Sequence, residues 1–172
     1  DRTLLPNGAQ PESPLARRRF QALASHPDIK LVYVTGRDRQ RVARAIINYR
    51  LPNPDFVISD VGTNIYDLRQ GTWQIWPQWQ QEIAPDWDGF DHQRLSRLLS
   101  SFNHLRLQEV SKQNTFKLSY YVPLHVDRNA LIEQLSNCLQ DHQVNASLIW
   151  IVDEPAGIGL HDVRPKRATK RH

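Results

Sequence analysis

Methionine is absent from the 172 residues, cysteine occurs once, and no apolar run approaches the 18 residues that a membrane-spanning helix needs. The longest apolar stretches hold about five residues, so no membrane partner is expected, and no charged-then-apolar leader points to secretion. A lone cysteine excludes an internal disulfide. Cys138 lies in "LIEQLSNCLQ", where it reads as a small core residue of a helix rather than a nucleophile, and a reducing, cytoplasmic setting is the default. The histidines His26, His104, His125 and His142 are scattered without metal-ligand spacing and read as surface residues. Basic and aromatic residues do not interleave as a base-stacking platform requires, so nucleic acid is not an expected partner. The net charge of +4 does not contradict this: the last nine residues, "RPKRATKRH", hold five Lys and Arg and no acid, and without them 17 basic residues face 18 acidic ones. A basic terminus can bind phosphates or be a solvated end.

What is present is enough to fold. The chain is 40% hydrophobic with five Trp, long enough for one ordinary domain or a core with a smaller lobe. "SPLARRRFQAL" predicts a helix with Ser13 as N-cap and Pro14 at its first helical position. "IKLVYV" (29–34) is a continuous β-branched and aromatic run, as expected of a parallel strand buried on both faces. "TGRD" ends it, and Val42, Ala45, Ile46 and Tyr49 then recur at helical spacing. "FVIS" (56–59) predicts a second buried strand from which "DVGTNIYD" turns away. Strand, helix and strand in this order form a βαβ unit.

From Trp73 the texture becomes Trp- and Gln-rich, "TWQIWPQWQQEIAPDWDGF", without a clear period, and marks a boundary between lobes. Beyond it Leu95, Leu98, Leu99 and Phe102 form one helical stripe, and Leu131, Ile132, Leu135, Cys138 and Leu139 another. "FKLSYYV", "ASLIWIV" and "GIGLHDV" are strands, while "DEPAG" is a turn. The expected organisation is a core over 1–78, an α+β lobe over 79–162 and a return to the core over 163–172.

Three short pieces could carry chemistry: "DRTLL" at the start, "VYVTGRD" after the first strand and "DVRPKRATK" at the finish. A Thr-Gly pair after a strand is also an ordinary tight turn, and each piece alone is weak. In an open parallel sheet, however, ligands sit at the carboxyl ends of the strands. There the Thr35 hydroxyl and the backbone N–H groups of Gly36 and Arg37 could meet a phosphate oxygen.

In order and spacing these pieces resemble the haloacid dehalogenase-like (HAD) phosphatases, and within them the sucrose-phosphate phosphatase group. That superfamily's first motif is Asp-x-Asp-x-Thr, and "DRT" is similar to its last three positions. The resemblance thus implies that Asp1 is the acid–base residue, that its backbone carbonyl contacts Mg²⁺, that Thr3 lies at the substrate, and that the nucleophilic Asp would stand two residues earlier. "VTGRD" resembles the second motif, with Thr35 as its hydroxyl residue, and "DVRPKRATK" the stretch carrying the third-motif lysine, here Lys170. The acidic fourth motif would lie beyond His172, so the sequence reads as part of a longer protein. "DVGTNIY" resembles the loop after the next strand, placing Gly62, Thr63 and Asn64 at the substrate mouth, or in a plain turn. "QNTFKLSYYV" resembles a stretch of the cap lobe near the sugar, with Gln113, Asn114 and Lys117 hydrogen-bonding hydroxyls, or else it is a polar hairpin edge.

The expectations are therefore an α/β fold, a Rossmann-like parallel-sheet core with an inserted α+β cap, and a Mg²⁺-dependent phosphatase for a small sugar phosphate. Sucrose 6-phosphate is the favoured substrate, and a glycosyltransferase of the same pathway the implied protein partner. The alternative is a catalytically inactive domain of this fold that binds sugar phosphate or a partner.

Overall fold

A computed structural model describes residues 4–5 and 13–169. The described chain divides into two compact units, one ending at Trp76 and the other spanning Pro77–Thr169. None of its helices is long and apolar enough to cross a membrane.

Unit 1 holds a four-stranded sheet in the order β1 (Val32–Val34), β2 (Phe56–Ser59), β3 (Asn64–Asp67), β4 (Gln74–Ile75), with α1 (Ala16–Ala24) and α2 (Arg39–Asn48). β1 and β2 are parallel with α2 between them in sequence, the βαβ unit that the apolar pattern predicts, whereas β3 and β4 are antiparallel. The sheet is therefore mixed rather than wholly parallel. Two expectations are corrected in detail. β1 is not buried on both faces: Tyr33 is buried on one, while Val32 and Val34, which alternate onto the other, are exposed. α1 begins at Ala16 with Leu15 in the N-cap position and no side-chain cap; Ser13 contributes only its carbonyl, which accepts the Ala16 N–H. α2 is capped as its sequence allows, with the Asp38 carboxylate accepting the Arg41 N–H at 2.8 Å. Tyr33, Val42, Val57 and Tyr66 form the small core.

Unit 2 begins with α3 (Pro77–Ile83) and a 3₁₀ turn over Ala84–Trp87, so the Trp-rich stretch is helical, and Ile83 and Trp87 are fully buried. α4 (His92–Leu99) and α5 (Arg128–Asp141) follow, capped by Asp91 and Asp127. The sheet is antiparallel in the order β5 (Arg106–Leu107), β6 (Leu118–Pro123), β8 (Ile158–Pro165), β7 (Ala146–Asp153). Leu118, Tyr120, Val122 and Val163 pack from the sheet onto Leu95, Leu99, Leu131, Leu135 and Leu139. Cys138 is half-buried at the margin of this core. Gly159 is required by close approach: a Cβ there would lie 2.7 Å from the Trp150 ring. β8 runs to Pro165 and the unit to Thr169.

The candidate active site

The parallel pair sets the site in unit 1. Beyond the end of β1, the Thr35 N–H donates to the Ile58 carbonyl at 2.9 Å, so pairing with β2 continues into the Thr35–Arg37 turn. Thr35 is buried, and its Oγ1 accepts the Arg37 N–H at 3.1 Å, folding the turn back on its own hydroxyl. Of the two N–H groups expected to meet phosphate, Arg37's is thus engaged locally, while Gly36's has no partner among the described residues. Arg37 borders two cavities. One, about 330 Å³, is lined mainly by apolar residues such as Phe20, Tyr33 and Val42, together with Thr35. The other, about 380 Å³, is basic, with Arg41 and Arg44 on its wall.

β2 ends in a turn whose backbone is strained. Asp60 and Val61 both take positive φ, 51° and 55°, before Gly62 at 99°. Left-handed backbone costs a β-branched residue such as Val61 of the order of 1–2 kcal/mol, and a polar network offsets that cost. The Asp60 carboxylate accepts the Ser59 hydroxyl at 3.0 Å and the Asn64 amide at 3.1 Å. Its carbonyl accepts both the Thr63 N–H and the Thr63 hydroxyl, at 3.2 and 2.9 Å. The two turns are joined directly, since the Asp60 N–H donates to the Arg37 carbonyl at 2.9 Å. Thr35, Gly36, Arg37, Gly62, Thr63 and Asn64 are thereby brought to the carboxyl ends of two neighbouring parallel strands, where an open sheet places ligands. Thr63 and Asn64 use polar groups to hold the turn.

A brace missing from the sequence reading stands beside this turn. The Arg39 guanidinium lies 5.8 Å from the centre of the Tyr66 ring and 5.6 Å from that of Trp73. These two rings meet edge to face. Burial pushes the Tyr66 phenol up, the Asp60 carboxylate adds to that shift and Arg39 opposes it. Aromatic residues at 66 and 73 were the available signal, but only the β3–β4 pairing brings them to one arginine.

Asp1, with its backbone carbonyl, Thr3 and Lys170 lie outside the described residues. Among the described residues no three His, Cys, Asp or Glu gather as a metal site, and the Asp60 carboxylate is held by Ser59 and Asn64. Gln113, Asn114 and Lys117 are in unit 2. The Gln113 amide clamps backbone: its nitrogen donates to the carbonyls of Gln108 and Ser119, and its oxygen accepts the Ser119 N–H at 2.8 Å. Asn114 and Lys117 form a tight hairpin bridge, with the Asn114 side-chain oxygen accepting the Phe116 N–H. Lys117 is buried.

The family model for sucrose-6F-phosphate phosphohydrolase matches residues 1–172. The chain belongs to that family. A putative HAD-like hydrolase from Nitrosococcus oceani is 52% identical over all of this chain and 46% of its own length. A shorter match, 48% identical over 46 residues (27% of this chain and 6% of the relative), is with a glucosylglycerol-phosphate synthase of Pseudomonas anguilliseptica. Two solved structures share the fold. Sucrose-phosphatase of Synechocystis, solved with sucrose and phosphate, aligns with a TM-score of 0.71 at 21% identity over 89% of this chain and 58% of that one. A haloacid dehalogenase-like hydrolase of Bacillus subtilis aligns at 0.54 and 16% identity over 88% and 56%. The chain thus spans about half the length of the relatives that match it along most of its length.

Proposed function

We propose that this family member is part of a phosphatase that hydrolyses a sugar phosphate, with sucrose 6-phosphate as substrate. The observation that supports this reading most is the joined pair of turns at the carboxyl ends of β1 and β2, with buried Thr35 at its centre. Phosphate monoesters hydrolyse so slowly in water that the reaction is divided into two displacements. An aspartate two residues before Asp1 attacks phosphorus and the sugar oxygen departs, taking a proton from Asp1. Asp1 then removes a proton from the water that releases phosphate. Thr35 and Lys170 bind the oxygens of the transferring group, and Lys170 offsets charge where carboxylates and phosphate converge. The Asp1 backbone carbonyl would help to hold Mg²⁺, which would supply charge neutralisation for the transferring group.

In the same reading unit 2 is the cap. Asn114 is its candidate for a sugar hydroxyl, whereas the Gln113 amide is committed to backbone. A cytoplasmic setting and a glycosyltransferase that supplies the phosphorylated sugar complete the proposal, to which the short match with a glucosylglycerol-phosphate synthase lends support.

Phosphate release by the full-length protein tests it. Sucrose 6-phosphate should exceed glucose 6-phosphate and fructose 6-phosphate by about 10²-fold in kcat/KM, as expected when missing hydroxyls leave site groups unpaired, and EDTA should abolish turnover. Equal rates on all three would remove sucrose 6-phosphate as substrate, and no release from any would remove the phosphatase.

A further inference from the structure

Among the described strands β7 forms one edge of the unit 2 sheet and pairs with β8 alone. The ladders fix which of its backbone groups face outward. The Gln108 N–H donates to the Ser119 carbonyl, so Ser119 and Tyr121 turn their backbone groups toward β5, while Leu118, Tyr120 and Val122 turn theirs toward β8. Gly159, His161 and Val163 answer them, which leaves Ile158, Leu160, Asp162 and Arg164 of β8 to bond β7. The Lys166 N–H, donating to the Asn145 carbonyl one position beyond the Ala146–Pro165 pair, gives the same phase independently. Ser147, Ile149, Ile151 and Asp153 therefore bond inward. Ala146, Leu148, Trp150 and Val152 direct their N–H and C=O groups out of the edge, and none of these groups has a hydrogen-bond partner among the described residues.

Natural sheets blunt such an edge with lysine, proline, a bulge or a shielding side chain. β7 has none of these. "ASLIWIVD" carries one charge, at its last residue, and all 8 residues pair with β8 without a bulge. Ile151 and Val152 are exposed. Trp150, the largest side chain of the strand, leans away from the edge: its ring lies against Gly159 and His161 of β8.

The sequence of this edge complements itself. Antiparallel pairing about a two-fold axis at Ile149 sets Leu148 opposite Trp150 of a second copy, and Ala146 opposite Val152, so every outward N–H and C=O finds a partner. An axis at any other residue carries some of these groups past the end of the strand. On the open face Ile149 meets Ile149 and Ser147 meets Ile151; on the helix-packed face each pair joins a smaller residue to a larger one. Asp153, the single charge, meets the Asn145 amide instead of another acid. A foreign strand would find backbone groups here but no charge to select it, whereas closed two-fold symmetry is the commonest way for identical chains to associate.

We infer that β7 is a dimerisation edge, at which two copies of this protein pair β7 with β7, antiparallel and centred on Ile149, and join their unit 2 sheets into one. The inference stands independently of the phosphatase reading.

Sedimentation velocity of the full-length protein tests this. The parent should be a dimer at micromolar concentration. Ile149→Lys and Ile149→Glu each set like charges face to face at the axis and should raise the dimer Kd by about 10-fold or more. Mixing the two variants sets opposite charges there and should return the Kd to within about threefold of the parent's. A monomeric parent, a dimer indifferent to both variants, or a mixture that does not recover would overturn the pairing. Hydrogen exchange on the unaltered protein reads the same edge if either variant does not fold: protection of the 146–152 amides should fall on dilution, in step with dissociation. Protection that does not change on dilution would show the edge covered by the protein's own chain or left open, and would overturn the dimer.

Discussion

Unit 1 and unit 2 bury different things. The core of unit 2 gathers eleven buried residues, all apolar or aromatic, between one sheet face and two helices, whereas that of unit 1 gathers four. Both units bury polar side chains among the described residues, but those of unit 1, Thr35, Ser59, Asp60, Thr63 and Asn64, all lie in or beside the two joined turns, whereas Asp86, Lys117, Ser119 and His161 are spread over unit 2. Apolar burial stabilises roughly in proportion to area, while buried polar groups contribute little beyond their own hydrogen bonds. One unit is thus built around a packed platform, and the other around a polar constellation held in a strained backbone.

The sharpest break in that contrast should come from the platform. Leu135 is fully buried on α5, and Leu135→Ala should cost about 2–5 kcal/mol. Hydrogen exchange should report the loss across Pro77–Thr169, and protection lost equally in β1 and β2 would show that the units do not differ as described.

A second expected effect is pH-dependent. His161 is fully buried against Trp150, and burial together with the Arg128 charge lowers its pKa from 6.5 to about 4. The unfolded chain takes up this proton below pH 6.5 and the folded one only near pH 4, so unit 2 loses stability as pH falls through that window. The loss amounts to roughly 3 kcal/mol. His161→Phe should flatten this limb of a Tm-against-pH curve; a curve of unaltered slope would assign the acid sensitivity elsewhere.

The smallest effect belongs to the strained turn. Val57→Ala, in the unit 1 core, should cost about 1–3 kcal/mol. Val61→Gly removes more side chain yet should change stability by less than about 1 kcal/mol, because relief of the left-handed backbone offsets the lost burial. Denaturant midpoints for the two variants decide this, and a Val61→Gly loss as large as that of Val57→Ala would mean that the turn stores no strain.

What the sequence disclosed follows from the range of each signal. Leu95 and Leu99, and Leu131, Leu135 and Leu139, lie on single helix faces, and a local period suffices to find them. β3 was missed because its alternation buries Asn64 and Tyr66, a polar and an aromatic residue, without an apolar rhythm. The apolar run 29–34 predicts burial on both faces because composition reports apolarity but not which face of a strand is covered. At the site, Thr35 and the Asp60–Asn64 loop were legible as turns after strands. The backbone strain at Val61 and the Arg39 brace were not, since both depend on pairing between segments.

The Asp86 carboxylate, in the turn that opens unit 2, accepts the Arg167 N–H at 2.7 Å and pairs with the Arg167 Nε at 3.2 Å. Beside it the Asn145 N–H donates to the Asp86 carbonyl, and the Lys166 N–H to the Asn145 carbonyl. The chain thus leaves the unit beside the place where it entered, as a looped thread tied at its neck. Domains whose ends meet in this way tolerate insertion into, or exchange between, host chains because little of the host must rearrange around them. Asp86–Arg167 is such a knot, and it makes unit 2 separable, in evolution or by engineering, from unit 1.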